Sequence, residues 1–169
     1  MTLQTEIKYS LITFLGIVLF YTVLYFLPQV ESPENSRLAY GALLIPVATI
    51  YLGIKERKDK FLKGEIDFAK AFATGLIITI FYSTLVGMLL AVAWPWLDLQ
   101  LTPEIVATER ARLTGEGFSP AEVNESIRQL KGMTSRTMQT MQTFMSNLIS
   151  GMLISLVVAF IIKRPEYPD

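Results

Sequence analysis

The chain contains no cysteine and no histidine. The first absence removes disulfides, thiolate metal sites and thiol nucleophiles. The second removes the commonest general base and the commonest transition-metal ligand. Charge is scarce as well. Asp, Glu, Lys and Arg make up 18% of the 169 residues, against about 25% in a soluble domain. The fifteen bases and fifteen acids cancel to a formal net charge of zero, so nothing attracts a polyanion and nucleic acid is not expected as a partner. There is no Gly-rich phosphate loop, metal-ligand cluster or Ser-His-Asp constellation. The sequence therefore nominates no catalytic residue, no cofactor-binding residue, no cofactor and no metal ligand, and it reads as a non-enzyme.

What is present is apolar length. Hydrophobic residues form 51% of the chain, and the mean hydropathy is +0.42. Four uncharged runs carry them: residues 9–27, 38–54, 71–97 and 137–162, the last apolar chiefly over FMSNLISGMLISLVVAFII. A helix needs ~20 apolar residues to cross the hydrocarbon core. The first and fourth runs fit, the third is long enough to tilt, and the second is short. Core helices of a soluble bundle should show a polar face. Between Leu11 and Leu27 the only polar side chains are Thr13, Thr22, Tyr21 and Tyr25. Barrel strands would alternate with a period of two, which these runs do not. The expected fold is all-α, a single four-helix membrane domain over residues 1–169. Its spans are placed at about 9–28, 37–54, 69–97 and 142–163, with an extramembrane helical segment at about 100–140 between the third and fourth. The first run has only a weak basic start, Lys8 set beside Glu6, exceeds the ~7–15 apolar residues of a signal peptide and lacks a small-x-small cleavage site, so it is read as a retained helix. Pro46 is expected to kink the second span. Trp94-Pro95-Trp96 suits the interface at the end of the third.

The stretch KERKDKFLKGEID, residues 55–67, packs five of the fifteen basic residues into nine positions. Four spans make the loops alternate sides. Lys8, the six bases between Lys55 and Lys70, and Lys163 with Arg164 then share one side. Arg37, Arg110, Arg112, Arg128, Lys131 and Arg136 are spread on the other. Basic density sets orientation, so the stretch and both termini are expected to be cytoplasmic. The stretch reads as a topology determinant. An anionic-lipid or partner-docking patch is the alternative, weakened by the interleaved Glu56, Asp59, Glu65 and Asp67.

Residues 98–140 have their own syntax. Thr102-Pro103-Glu104 marks a helix start, and Gly115 and Gly117 suit its end. Ser119-Pro-Ala-Glu122 is a capping box opening a second helix. From Val123 through Ile127, Leu130, Thr134, Thr137, Met141, Phe144 and Leu148 an apolar stripe runs at helical spacing toward the last span. The pattern thus predicts a helical hairpin whose second arm continues into that span. Met138, Met141, Met145 and Met152 lie on or beside the stripe; they suit an adaptable binding surface or ordinary packing.

Small residues recur every fourth position in the third run, at Ala71, Gly75, Thr79, Ser83, Gly87 and Ala91, and in the fourth at Gly151, Ser155 and Ala159. Such ladders let backbones approach closely in lipid. A strict four-residue repeat drifts about 40° per step, so the longer ladder winds between partners, within the chain or in a second copy. The spans hold no ionisable group, only hydroxyls at Thr13, Thr22, Thr49, Thr74, Thr79, Ser83, Thr84, Ser150 and Ser155, plus Asn147, an expected interhelical hydrogen bond.

The pattern Arg57…Asp59…Gly64…Phe68…Ala71-Phe72…Gly75, with the order of spans, Pro103, SPAEV and the closing Lys-Arg, resembles a membrane family known as domain of unknown function four-one-nine-nine. Asp67 stands where the resemblance implies a small polar residue. It implies a multi-pass protein of the bacterial, Bacteroidetes-type, inner membrane, and it implies no activity. Two functions remain: a scaffold or accessory subunit presenting a periplasmic hairpin, or a small transporter or channel for lipid or apolar solutes. Expected partners are the bilayer, a membrane or periplasmic protein and a second copy of the chain.

Overall fold

A computed structural model describes residues 3–26, 40–97 and 103–163. Within them the chain forms α1 (Gln4–Phe26), α2 (Leu44–Phe61), α3 (Phe68–Leu97), α4 (Pro103–Gly115), α5 (Pro120–Met133) and α6 (Arg136–Ile162). Three stretches are long and apolar enough to cross a membrane: Gln4–Leu24, Phe68–Ala93 and Arg136–Ile162. The second expected span differs. Residues 40–43 form a 3₁₀ turn, and the α-helix starts only at Leu44. Pro46 therefore lies in the first turn, where its missing N–H has no helical acceptor to lose, and it does not kink a span. At its other end α2 continues through Lys55–Lys60, so half of the basic stretch is helix rather than loop. The Thr102 cap, Arg37 and Arg164 lie outside the described residues, as do the side chains of Trp94 and Trp96.

The turn after α2 explains the rest of KERKDKFLKGEID. Lys63 and Gly64 take positive φ, 52° and 89°, and the Gly64 N–H donates to the Lys58 carbonyl at 3.0 Å. Asp67 then caps α3, accepting from the Lys70 N–H at 2.7 Å. Aspartate is among the strongest N-caps, so it meets the same local need as the small polar residue the resemblance implied.

The helices divide into two compact units, Met1–Leu85 with Met145–Asp169, and Val86–Phe144. In the first, α1 and α2 run antiparallel in a fixed register. Phe20 meets Gly41, Ile45 meets Gly16, Thr13 meets Thr49 and Tyr9 meets Gly53. On α3 and α6, Gly75 opposes Ser155 and Thr79 opposes Gly151. Moving four residues up one helix moves four down the other, so this pair is antiparallel too. A Cβ on Gly75 would lie 2.6 Å from Ser155 Oγ and 3.2 Å from Ile50 of α2. The ladder thus serves two neighbouring helices at one rung, as its drift requires. Ala71, Gly75, Thr79, Ser83 and Gly87 are all buried.

Beside buried apolar residues such as Ile50, Ile54 and Ile78, this unit buries hydroxyls and exposes long aliphatics, unlike a soluble bundle. Ser10, Thr13, Thr79, Ser83 and Ser155 are buried, while Leu15 and Leu19 are 60% and 65% exposed and Phe160 is 63% exposed. Burying hydroxyls and exposing long aliphatics is stable where the surrounding solvent is itself apolar.

In the second unit, α4 and α5 share a cluster of Leu113, Val123 and Ile127 with Val106 packed on it. The join has the Schellman pattern. Gly117, at φ 87°, donates to Thr114 and Phe118 donates to Leu113, both at 3.2 Å. Ser119 and Glu122 then form the full capping box that opens α5. The expected continuous helix into the last span is broken. α5 ends at Met133, the Ser135 N–H turns back to Gly132, and the Ser135 hydroxyl caps the new helix at the Met138 N–H, 3.4 Å away. Gly132 weakens the helix here, and the hydroxyls of Thr134 and Ser135 offer the backbone competing bonds.

Candidate functional site

The stripe Glu6, Ser10, Thr13 and Ile17 follows helical spacing along one buried face of α1. Opposite it on α2 lie Thr49, Ile50, Gly53, Ile54 and Arg57, also buried. The antiparallel register brings the two charged ends together. Glu6, with no solvent exposure, forms an ion pair with Arg57. An isolated charge at this depth would cost several kcal/mol, so the two groups must be placed together or not at all.

A second ion pair lies beside the first. Glu56 accepts from Lys8 Nζ at 2.6 Å, the Tyr9 hydroxyl at 2.7 Å and Lys60 Nζ at 3.0 Å. The Lys8 bond above all holds its carboxyl down at about 2. Lys58 Nζ donates to the Ile162 carbonyl at 3.4 Å, where a cation also complements the negative end of the α6 dipole. Adjacent positions of the basic stretch thus tie α2 to two other helices: Glu56 and Arg57 hold α1, and Lys58 holds α6.

Above the charges the contacts are made by hydroxyls. Thr13 donates to Thr49 at 2.7 Å, and Thr49 lies 2.8 Å from the Ile45 carbonyl. The Ser10 hydroxyl lies 2.7 Å from the Glu6 carbonyl and 3.2 Å from that of Ile78 on α3. Thr79 Oγ1 lies 3.5 Å from Ser155 Oγ, and the Tyr82 hydroxyl donates to the Asn147 carbonyl at 3.1 Å. Asn147 does join α3 to α6, but through its backbone rather than the expected side chain. Among the described residues, Thr22, Thr84 and Ser150 bond only to their own helices.

In the second unit the charges are used locally. Arg112 bridges Glu109 and Glu116 at 2.6 Å each, and Glu109 is held below the ordinary carboxylate range by it. Arg110 bonds Asn124 across the helix pair at 3.0 Å, and Arg128 pairs with Glu125 at 3.0 Å. Phe118 stays half exposed at the join, while Met138 and Met141 are exposed on α6.

The expected first span, 9–28, holds no Asp, Glu, Lys or Arg, but the apolar stretch Gln4–Leu24 of α1 reaches back over Glu6 and Lys8, just as the stretches in α3 and α6 take in Lys70 and Arg136. Read as a flank of the first run, Glu6 carried no weight. Its signal was the spacing to Ser10 and Thr13, which extends a polar stripe through an otherwise apolar helix. The chain matches no curated protein and no solved structure. A family model described as protein of unknown function (DUF4199) matches residues 8–164, nearly the whole chain, and the protein belongs to that family.

Proposed function

We propose that the protein is a four-span scaffold or accessory subunit of a bacterial inner membrane. In this reading both termini face the cytoplasm, and the α4–α5 pair is offered to a partner in the periplasm. One observation carries it: most buried hydroxyls of the long helices, those of Ser83 and Thr140 excepted, are spent on one another and on backbone carbonyls. Thr13 is bonded to Thr49, Thr79 sits against Ser155 and Thr74 donates to the Lys70 carbonyl. Groups committed to helix–helix contacts seal an interior rather than line a path, which weighs against the transporter alternative. The α4–α5 pair has its own apolar centre and an exposed surface of both charge signs. Surface segments held by a rigid frame are where recognition concentrates.

The test is a pull-down from native membranes with the full chain and with residues 103–133 replaced by a short Gly/Ser linker, whose closure cost changes slowly with length. The reading expects a monodisperse variant that loses a protein partner held by the full chain. A monodisperse variant that keeps every partner overturns it.

A further inference from the structure

The junction between α5 and α6 combines two features found together nowhere else among the described residues of the second unit. Lys131 and Arg136 are exposed, and among the described residues neither side chain has a hydrogen-bond or ion-pair partner. By contrast, Arg110, Arg112 and Arg128 of the same unit are all engaged. No acid occurs anywhere between Glu125 and Glu166 to neutralise them. Within a few positions of these cations in the sequence, and so at similar heights along the helices, stand exposed methionines: Met133 and Met141 at 61% and Met138 at 48%. An unpaired cation next to flexible apolar side chains is the makeup of a membrane-surface contact, with the chain ends in the acyl boundary and the charge at the phosphates.

Length along α6 places this group. The helix has 27 residues, about 40 Å at 1.5 Å per residue. That matches the ~40–45 Å from one headgroup layer to the other. Lys163 follows the last residue of α6 and Arg136 is its first. With Lys163 at the phosphates of one leaflet, Arg136 reaches the phosphates of the other, and Met138 and Met141 fall just inside them.

We infer that Lys131 and Arg136, with Met133, Met138 and Met141, form a binding site for the headgroup of an anionic phospholipid in the leaflet on the α4–α5 side. The site fixes the α5–α6 junction at the membrane surface. This inference rests on α6 crossing the bilayer.

The chain has no cysteine, so one introduced thiol labels one place. A Cβ at Gly132 meets nothing within 4 Å, so Gly132→Cys carries an environment-sensitive dye between the two cations. The full chain is titrated in detergent micelles doped with phosphatidylglycerol or phosphatidylcholine. A saturable response to phosphatidylglycerol is expected, with little from phosphatidylcholine. Each cation contributes about five-fold, so K131Q/R136Q in the same background should need about 25-fold more phosphatidylglycerol. K131R/R136K should restore the wild-type midpoint. An equal response to both lipids, or an unshifted midpoint in K131Q/R136Q, overturns the inference. Inorganic phosphate alone reproducing the response overturns the lipid assignment. A label at Leu153→Cys separates the underlying reading, since Leu153 is exposed about two-thirds of the way along α6. Quenching there by brominated acyl chains, without lipid preference at Gly132, overturns the site alone. No quenching at Leu153 overturns both.

Discussion

Glu6 and Arg57 meet as a buried ion pair between two antiparallel helices, beside a second pair in which Glu56 gathers Lys8, Tyr9 and Lys60. A wholly buried carboxylate is stable only with its counter-charge in place, so this contact fixes the register of α1 against α2. A slip of one residue would leave both charges without partners.

Removing one member should therefore cost more than removing both. Arg57→Met is expected to destabilise the protein by about 3–5 kcal/mol, and Glu6→Leu with Arg57→Met to recover most of that loss. Unfolding of the two variants in detergent, set against Glu6→Leu alone, gives the coupling. Simple additivity would show that the pair does not hold the helices.

Glu56 makes stability depend on pH in a defined window. Its folded value is about 2 against an ordinary 4.5. The contribution is complete above about 4.5 and is lost as pH falls toward 2, because protonation removes the acceptor that Lys8 and Lys60 use. Thermal midpoints should be flat from pH 7 to 5 and decline below 4.5. Glu56→Gln should lower the plateau and flatten that part of the decline. An identical slope in the variant would assign the acid response to other groups.

Gly151 and Gly87 occupy similar ladder positions in the sequence, yet their surroundings differ. A Cβ on Gly151 would run into Thr79 and lie 2.8 Å from the Tyr82 hydroxyl, whereas on Gly87 the nearest atom is Phe144 Cβ at 3.8 Å. Gly151→Ala should destabilise by about 1–3 kcal/mol through overpacking. Gly87→Ala should stay within about 0.5 kcal/mol of wild type. Equal thermal shifts for the two would mean that the α3–α6 approach at Gly151 is looser than this geometry.

Topology reporters fused at Lys60 and after Asp169 are expected to read cytoplasmic, and one in the turn at Gly117 periplasmic, because the basic residues crowd the first side. A cytoplasmic signal at Gly117 would reverse the proposed placement of α4–α5.

Much of this protein is written locally. The uncharged runs gave the positions of α1, α3 and α6, because helix length and hydropathy are properties of consecutive residues. Gly117, Ser119 and Glu122 announced the turn and the capping box, because caps bond within a few positions. What the sequence left open depends on distance in the chain. Pro46 looked like a kink until the start of α2 placed it in a first turn. The stripe through Thr134 pointed to one continuous helix, because apolar periodicity does not register the hydroxyls that end it. Glu6 and Arg57 gave no sign of each other, and Thr13 none of Thr49. Composition determined that long apolar side chains would outnumber what a core can bury, leaving many of them on the surface. Which polar groups meet was decided only by the antiparallel register of the helices, since an ion pair between distant residues exists only once packing has excluded water from both.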